Sequence, residues 1–236
     1  MKKLLKIFLI VILIVTGLFV ADSYNRYSEL KDNYPVEEVR DTLKAHTKHY
    51  VEYEDISKEL IDATVAIEDR RFFDRYGVDY IALARAMIVN LISMSFVQGG
   101  STIEQQFIKI YYFNYESSLS RKVNELFFIY DLDNHYSKEE IVEMYLNVIN
   151  YGDGYTGIYN AAKGYFDKDP EDLTLYEASL LAGIPNAPAY LQLSNNNINT
   201  YLRQVDILNE MLDLGYITQE EYEETLDQQP KEFQNE

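Results

Sequence analysis

Apolar positions open the chain almost without a break. Leu4 to Ala21 is interrupted only by Lys6 and Thr16 and follows Lys2 and Lys3. A helix of that length reaches about 27 Å, just short of a ~30 Å hydrocarbon core. The pattern predicts a transmembrane anchor over residues 1–21. A secretory signal peptide shares the cationic start and the short apolar run, but its cleavage site wants small residues, and Phe19-Val20-Ala21 puts a large one there. An uncleaved anchor fits better. Its lysines keep the amino terminus cytoplasmic and leave the rest of the chain outside the cell membrane, a single-pass topology.

Residues 22–53 are polar and aromatic without a clear period and are broken by Pro35. They read as a juxtamembrane stalk with a short extended segment around His49-Tyr50-Val51. From Ser57 the period turns helical: Leu60, Ile61, Thr64, Val65 and Ala66 recur at three and four, which puts Glu68 and Asp69 near a helix end. Asp79 opens a second helix through Met94, with Ile81, Ala84, Met87, Ile88 and Leu91 on one stripe, and residues 95–100 form a loop. Capping-box pairs at Ser101/Glu104, Ser137/Glu140, Thr174/Glu177 and Thr218/Glu221 mark four further helix starts. Another helix covers 199–214 and closes at Gly215. With no sustained alternation, the predicted class is all-α: one domain over residues 54–228, then a frayed tail over 229–236.

Composition narrows the function. A chain of 236 residues can bury one sizeable core and carry an appendage. It has no cysteine, so disulfides and thiol catalysis are out. A formal charge of −18 argues against a nucleic-acid partner, whose phosphates it would repel. Yet between Arg70 and Lys122 the cations Arg70, Arg71, Arg75, Arg85, Lys109, Arg121 and Lys122 outnumber the anions Asp74, Asp79, Glu104 and Glu116. That local excess suggests a confined anion site. His46 and His49 stand three apart, but without a nearby third histidine or any cysteine they make poor metal ligands.

The chemistry centres on Gly99-Gly100-Ser101-Thr102-Ile103-Glu104-Gln105-Gln106-Phe107-Ile108-Lys109. Two glycines before a helix start let the backbone approach a ligand and offer it free N–H groups. Taken alone this is an ordinary capped surface helix. Glu68-Asp69 alone is solvated charge, and Arg121, Lys122 and Glu125 alone are surface pairs worth about 0.2–0.5 kcal/mol each. Their order and spacing together are specific.

Five patterns carry a resemblance: Glu68-Asp69-Arg70-Arg71-Phe72-Phe73 running on to Gly77-Val78-Asp79; the glycine-led stretch through Lys109; Arg121-Lys122-x-x-Glu125; Lys138-x-x-Ile141 through Tyr145-Leu146-Asn147 to Gly152, Gly157 and Ala161-Ala162; and, weakest, Arg203 with Ile207-Leu208. In this order they resemble glycosyltransferase family 51, the peptidoglycan glycosyltransferases of monofunctional transglycosylases and class A penicillin-binding proteins. The resemblance covers about residues 50–228. It implies a lysozyme-like helical fold with a small membrane-facing lobe between the first two motifs, and polymerisation of lipid II into glycan strands with inversion at the donor sugar. Glu68 matches the general base. Glu125 matches the second glutamate, which positions the substrate or helps the leaving group. Asp69, Arg75, Ser101, Thr102, Gln105, Gln106, Lys109, Arg121, Lys122, Asn147 and Arg203 are the substrate-binding residues it implies. The implied partners are lipid II, the growing glycan chain, the membrane and cell-wall synthesis proteins. The implied cofactor is a divalent cation, magnesium or manganese, as some members use, although the sequence holds no dedicated metal cage.

Elementary chemistry agrees. A sugar hydroxyl is a poor nucleophile, and a carboxylate removing its proton is worth roughly 10²–10⁴-fold. A departing pyrophosphate gathers negative charge that cations and helix N–H groups stabilise. The chain departs from the family pattern at Arg75 (usually His), Ile110 (Asn), Ser117 (Arg), Asn124 (often Lys) and Gln204 (Arg). The last three are expected cations beside the pyrophosphate, each loss costing about 1–3 kcal/mol of leaving-group stabilisation. Glu68, Glu125 and Lys109 remain, so the reading is a divergent enzyme. The alternatives are a weak or inactive relative acting as a cell-wall scaffold, and a lysozyme-like hydrolase, which also uses paired carboxylates.

The apolar run from Ala86 to Ile92, with Phe96 and Val97, is expected to dip into the bilayer. An anchorless Ile88→Asp/Leu91→Asp variant should lose residual binding to lipid vesicles in a sedimentation assay; unchanged binding removes the idea.

Overall fold

A computed structural model of the chain describes residues 2–81, 84–85, 101–116 and 118–231. The helix expected to run on to Met94 beyond residue 85, the apolar run after it, Gly99-Gly100 and Ser117 lie outside the described residues. So does most of the expected membrane-facing lobe.

Helix α1 (Lys2–Asn33) is one unbroken rod. Its first twenty residues present Leu, Ile, Val and Phe side chains to the outside, as a helix apolar enough to cross a membrane does. The rod does not stop at residue 21. It continues through the expected stalk, where Ser23 and Tyr27 are buried against helix α5 (Leu119–His135). The stalk was expected to lack a period because its helical face is short and aromatic. Tyr24 and Tyr27 pack on Phe127 at 5.5 and 5.3 Å, Arg26 pairs with Glu116 at 2.5 Å, and Lys31 pairs with Asp131 at 2.7 Å.

After Pro35 the chain turns into α2 (Val39–His46), burying Val36 and Val39 completely. Residues 40–53 are then strapped across α6 (Lys138–Val148) by polar groups. Arg40 reaches both oxygens of Glu143 at 2.8 Å and Glu140 at 2.7 Å. The Tyr50 hydroxyl donates to Glu143 at 2.6 Å, and the Tyr53 N–H does so at 3.0 Å. Asn147 pairs with both backbone groups of Val51, accepting at 2.9 Å and donating at 2.8 Å. The extended segment expected around His49-Tyr50-Val51 is not a strand: His49 lies in a turn, and the Val51 backbone is met by the Asn147 side chain.

The remaining helices begin and end where local chemistry directs. Ser57 caps α3 (Lys58–Glu68), whose Leu60, Ile61, Ala63, Val65 and Ala66 face the core. Helix α4 (Ile103–Phe113) follows, then α5, α6, α7 (Ile158–Phe166), α8 (Leu175–Gly183), α9 (Ile198–Asp213) and α10 (Gln219–Leu226). Capping boxes start α6, α8 and α10 at the three predicted pairs. Gly215, at φ +73°, ends the turn after α9. Among the described residues there is no strand, only an isolated bridge between Asn150 and Thr156. The tail is less frayed than expected at its start: the Gln229 amide is buried and donates to Gln204 at 2.8 Å.

Two helix groups share one core. Helices α3, α8 and α9 pack on one another; α4 packs on α5 and α6, and α1 lies on α5. The carboxyl end of α3 meets α4 where the groups adjoin.

Glu143 is wholly out of water, and removing it unpins Tyr50 and the Tyr53 N–H and leaves Arg40 with Glu140 and Glu52. Glu143→Ala should lower unfolding free energy by about 1–3 kcal/mol in urea titrations of the full chain in micelles. Lys163→Ala, at an exposed pair, should leave the midpoint unmoved.

Candidate active site

Glu68 is the last residue of α3, and Asp69 leaves the helix in an extended conformation. This turns the Glu68 side chain toward α4, where its Oε2 accepts a hydrogen bond from Gln106 Nε2. Burial pushes the Glu68 carboxyl above the usual carboxylate range, while Gln106, Arg203 and Lys109 draw it back. Glu68 lines a cavity of about 400 Å³ with Asp69, Arg70, Arg71 and Ser101. Gln106 and Lys109 line a second, of about 370 Å³, with Tyr115, Asn150 and Asn186. The bonded pair Glu68–Gln106 thus stands between two cavities, one residue lining each.

The cations gather beside it. Lys109 is half-buried near the Tyr115 ring, 5.2 Å from its centre, and forms no ion pair among the described residues. Arg203, on α9, also acts on Glu68 and keeps its buried Nε without a hydrogen-bond partner. Arg121 and Lys122 sit in the first turns of α5, capped by Ser118. Lys122 reaches Ser101 Oγ at 3.3 Å and Glu125 at 2.9 Å. Burial, then the neighbouring Arg121 and Lys109, push the Lys122 ammonium down to about 8, against the pull of Glu125.

The two predicted carboxylates therefore differ. Glu125 is fully buried and held by Arg121 and Lys122. Its Oε1 is bonded to Arg121, while Oε2 lies in ion-pair reach of Lys122 but has no hydrogen bond. What sets Glu125 apart is that it is sealed from water between two cations. Glu68 is met by one neutral amide and by cations at longer range, so it can take a proton.

Several predicted substrate-binding residues are spent inside the protein. Arg75 grips Asp69, Glu104 (2.5 Å) and the Gly77 carbonyl, with little of it in water, so it does not face the cleft. Asp69 lines the first cavity, but its carboxylate is committed to Arg75 and the Ile103 N–H. The helix cap lies one residue later than expected. Thr102 and Gln105 form the box of α4, while Glu104, expected in the box, is buried between Arg75 and Lys138 (2.5 Å each). Thr102 and Gln105 are thus capping groups. Asn147 is the clamp on Val51, out of substrate reach.

Two of the expected missing cations are also accounted for. Asn124 is fully buried and donates to the Ser120 carbonyl at 2.7 Å. Gln204 is fully buried and donates to Ser179 and the Tyr176 carbonyl. Both side chains are thus used inside the protein. The sequence reading missed Glu104 as a counter-ion. Its only sequence signal was a spacing that capping also explains.

Comparison with known proteins gives a concordant result. A family model described as Transglycosylase matches residues 33–212. Penicillin-binding protein 1A of Neisseria flavescens is 41% identical over 179 residues, 76% of this chain and 22% of the relative. A Cupriavidus necator protein whose transglycosylase name is itself provisional is 40% identical over 185 residues, 78% of this chain and 80% of the relative. A crystal structure of penicillin-binding protein 1A from Haemophilus influenzae superposes with a TM-score of 0.47 at 25% identity, covering 77% of this chain and 18% of that one. The chain spans about a quarter or less of the penicillin-binding proteins it matches.

A lysine that titrates near 8 makes the cation group pH-sensitive. It is charged below that pH and neutral above it. Binding of inorganic pyrophosphate, followed by calorimetry, should weaken as pH rises from 7 to 9, and Lys122→Arg should remove that dependence.

Proposed function

Because the chain belongs to the transglycosylase family, we propose that it is a peptidoglycan glycosyltransferase that polymerises lipid II, with Glu68 as general base. The observation that carries this reading is the Glu68–Gln106 pair, which stands between two cavities with Lys109 and Arg203 acting on Glu68. A reaction that brings two sugars to one oxygen suits such an arrangement. Glu68 takes the proton from the acceptor sugar's 4-hydroxyl as that oxygen attacks C1 of the donor, inverting it. The bond from C1 to the lipid-linked pyrophosphate breaks, and the leaving oxygen carries away the electron pair. Its growing charge faces Lys109, Arg121 and Lys122. Glu125 holds the last two in place.

The lipid half of the substrate has a matching surface. An apolar cavity of about 280 Å³ lies between Phe19 of α1 and Leu119, Val123 and Leu126 of α5, with Lys122 among its lining residues. The same packing supports an uncleaved anchor, because a cut near residue 21 would sever α1 just before the turns seated on α5. The domain's place outside rests on the lysines that precede the apolar run.

The described residues do not fit a protein-held divalent cation. Glu125 is taken by two cations and Asp69 by Arg75, and no cluster of three metal-ligating side chains occurs among them. No step is routed through a metal.

The full chain in micelles, given lipid II, should build glycan strands resolved by gel electrophoresis. Glu68→Gln should slow strand formation by roughly 10²–10⁴-fold. Lys109→Ala should abolish it while circular dichroism stays unchanged. Wild-type rates in either variant would sink the assignment.

A further inference from the structure

Tyr145 is fully buried in α6 and belongs to a motif whose role in catalysis is otherwise unassigned. Its hydroxyl donates to Gln106 Oε1 at 3.1 Å, and Gln106 Nε2 in turn donates to Glu68. We propose that Tyr145 is a positioning residue that locks the Gln106 amide with its NH₂ group toward Glu68.

The argument is one of donors and acceptors. A side-chain amide has one accepting end and one donating end, and rotation by half a turn exchanges them. With the amide reversed, its oxygen would face the Glu68 carboxylate, and the Tyr145 O–H would be left without an acceptor. Tyr145 has no other hydrogen-bond partner among the described residues, and an unmet buried hydroxyl is costly. Burial, then the charge of Glu68, hold the phenol well above its ordinary range, so it stays a proton donor wherever the enzyme works. The tyrosine thus selects one amide orientation, and the amide presents a donor that favours ionised Glu68. The other groups acting on Glu68 are Lys109 from α4 and Arg203 from α9. Around Tyr145 itself stand Tyr151 and Tyr115. None of these duplicates the amide's hydrogen bond.

Without the hydroxyl, the amide can turn and Glu68 loses a donor, so its titration midpoint rises. A base is active when deprotonated, so a higher midpoint moves the loss of activity on acidification to higher pH. The relay deepens the reading of Glu68 as general base and rests on it for its link to rate, but the titration itself can be followed without turnover.

The test is carbon-13 NMR titration of the Glu68 side chain in the full chain in micelles, with labelled glutamate and Glu68→Gln to identify the signal. Tyr145→Phe keeps the packing and should raise the midpoint by about one pH unit. Gln106→Met should raise it as far, and the double variant should add nothing. An unmoved midpoint in Tyr145→Phe, or additive shifts, overturns the proposal. In the wild-type chain the Gln106 NH₂ protons should exchange slowly and respond as Glu68 titrates. A freely exchanging, pH-insensitive amide overturns the relay without any variant. In polymerisation assays the acid limb of the Tyr145→Phe profile should move by the same amount with its high-pH plateau retained; equal loss at every pH would mark a packing role only. Failure of the general-base reading is seen separately, as strand synthesis by Glu68→Gln.

Discussion

Three carboxylates, Glu104, Glu125 and Glu143, are held entirely out of water, and the need to meet their charge ties distant parts of the chain together. Glu104 on α4 draws in Arg75 from the turn after α3 and Lys138 from the start of α6. Glu143 draws in Arg40 and the backbone before α3. Glu125 gathers the two cations one turn before it on its own helix. Replacing such a pair with apolar groups can be neutral, but stripping one partner leaves a naked buried charge. The arrangement therefore tolerates little piecemeal change.

Against that background Glu68 stands out by having no close cation. Its single short contact is a neutral amide, and its cationic neighbours act from farther away. A carboxylate sealed between two cations is a poor proton acceptor, whereas one that lines a cavity and holds a single hydrogen bond is a better one. Glu68 and Glu125 are equivalent as acidic residues in the sequence but differ in this way in the fold, and the proposed division of roles rests on that contrast.

The membrane helix and the site are also mechanically continuous. The carboxyl end of α1 is seated on α5 through Tyr27 and Lys31, both on Asp131, and on the segment before α5 through the Arg26–Glu116 pair. Helix α5 carries Arg121, Lys122 and Glu125. Arg121 and Lys122 therefore sit on the helix against which the apolar α1 is packed.

What the sequence determined by itself was local or charge-based. The caps at Ser137, Thr174 and Thr218, the helical period from Ser57, the stop at Gly215, the all-α class and the apolar entry helix follow from spacing over a few residues. The clustering of Glu68, Gln106 and Lys109 was legible from motif order. Only the tertiary structure decided which side chains face the cleft. Ser101/Glu104 and Thr102/Gln105 satisfy the same capping rule equally well, and the second pair forms because Glu104 is pulled toward Arg75 and Lys138 from elsewhere in the chain. Asn147 is claimed by a backbone almost a hundred residues away, Gln204 by Tyr176 and Ser179 of α8, and residues 22–33 pack as helix on α5. Partners at long range carry no signature in local spacing, and these assignments depended on them; Asn124, bonded to Ser120 one turn back, is set by its burial in α5.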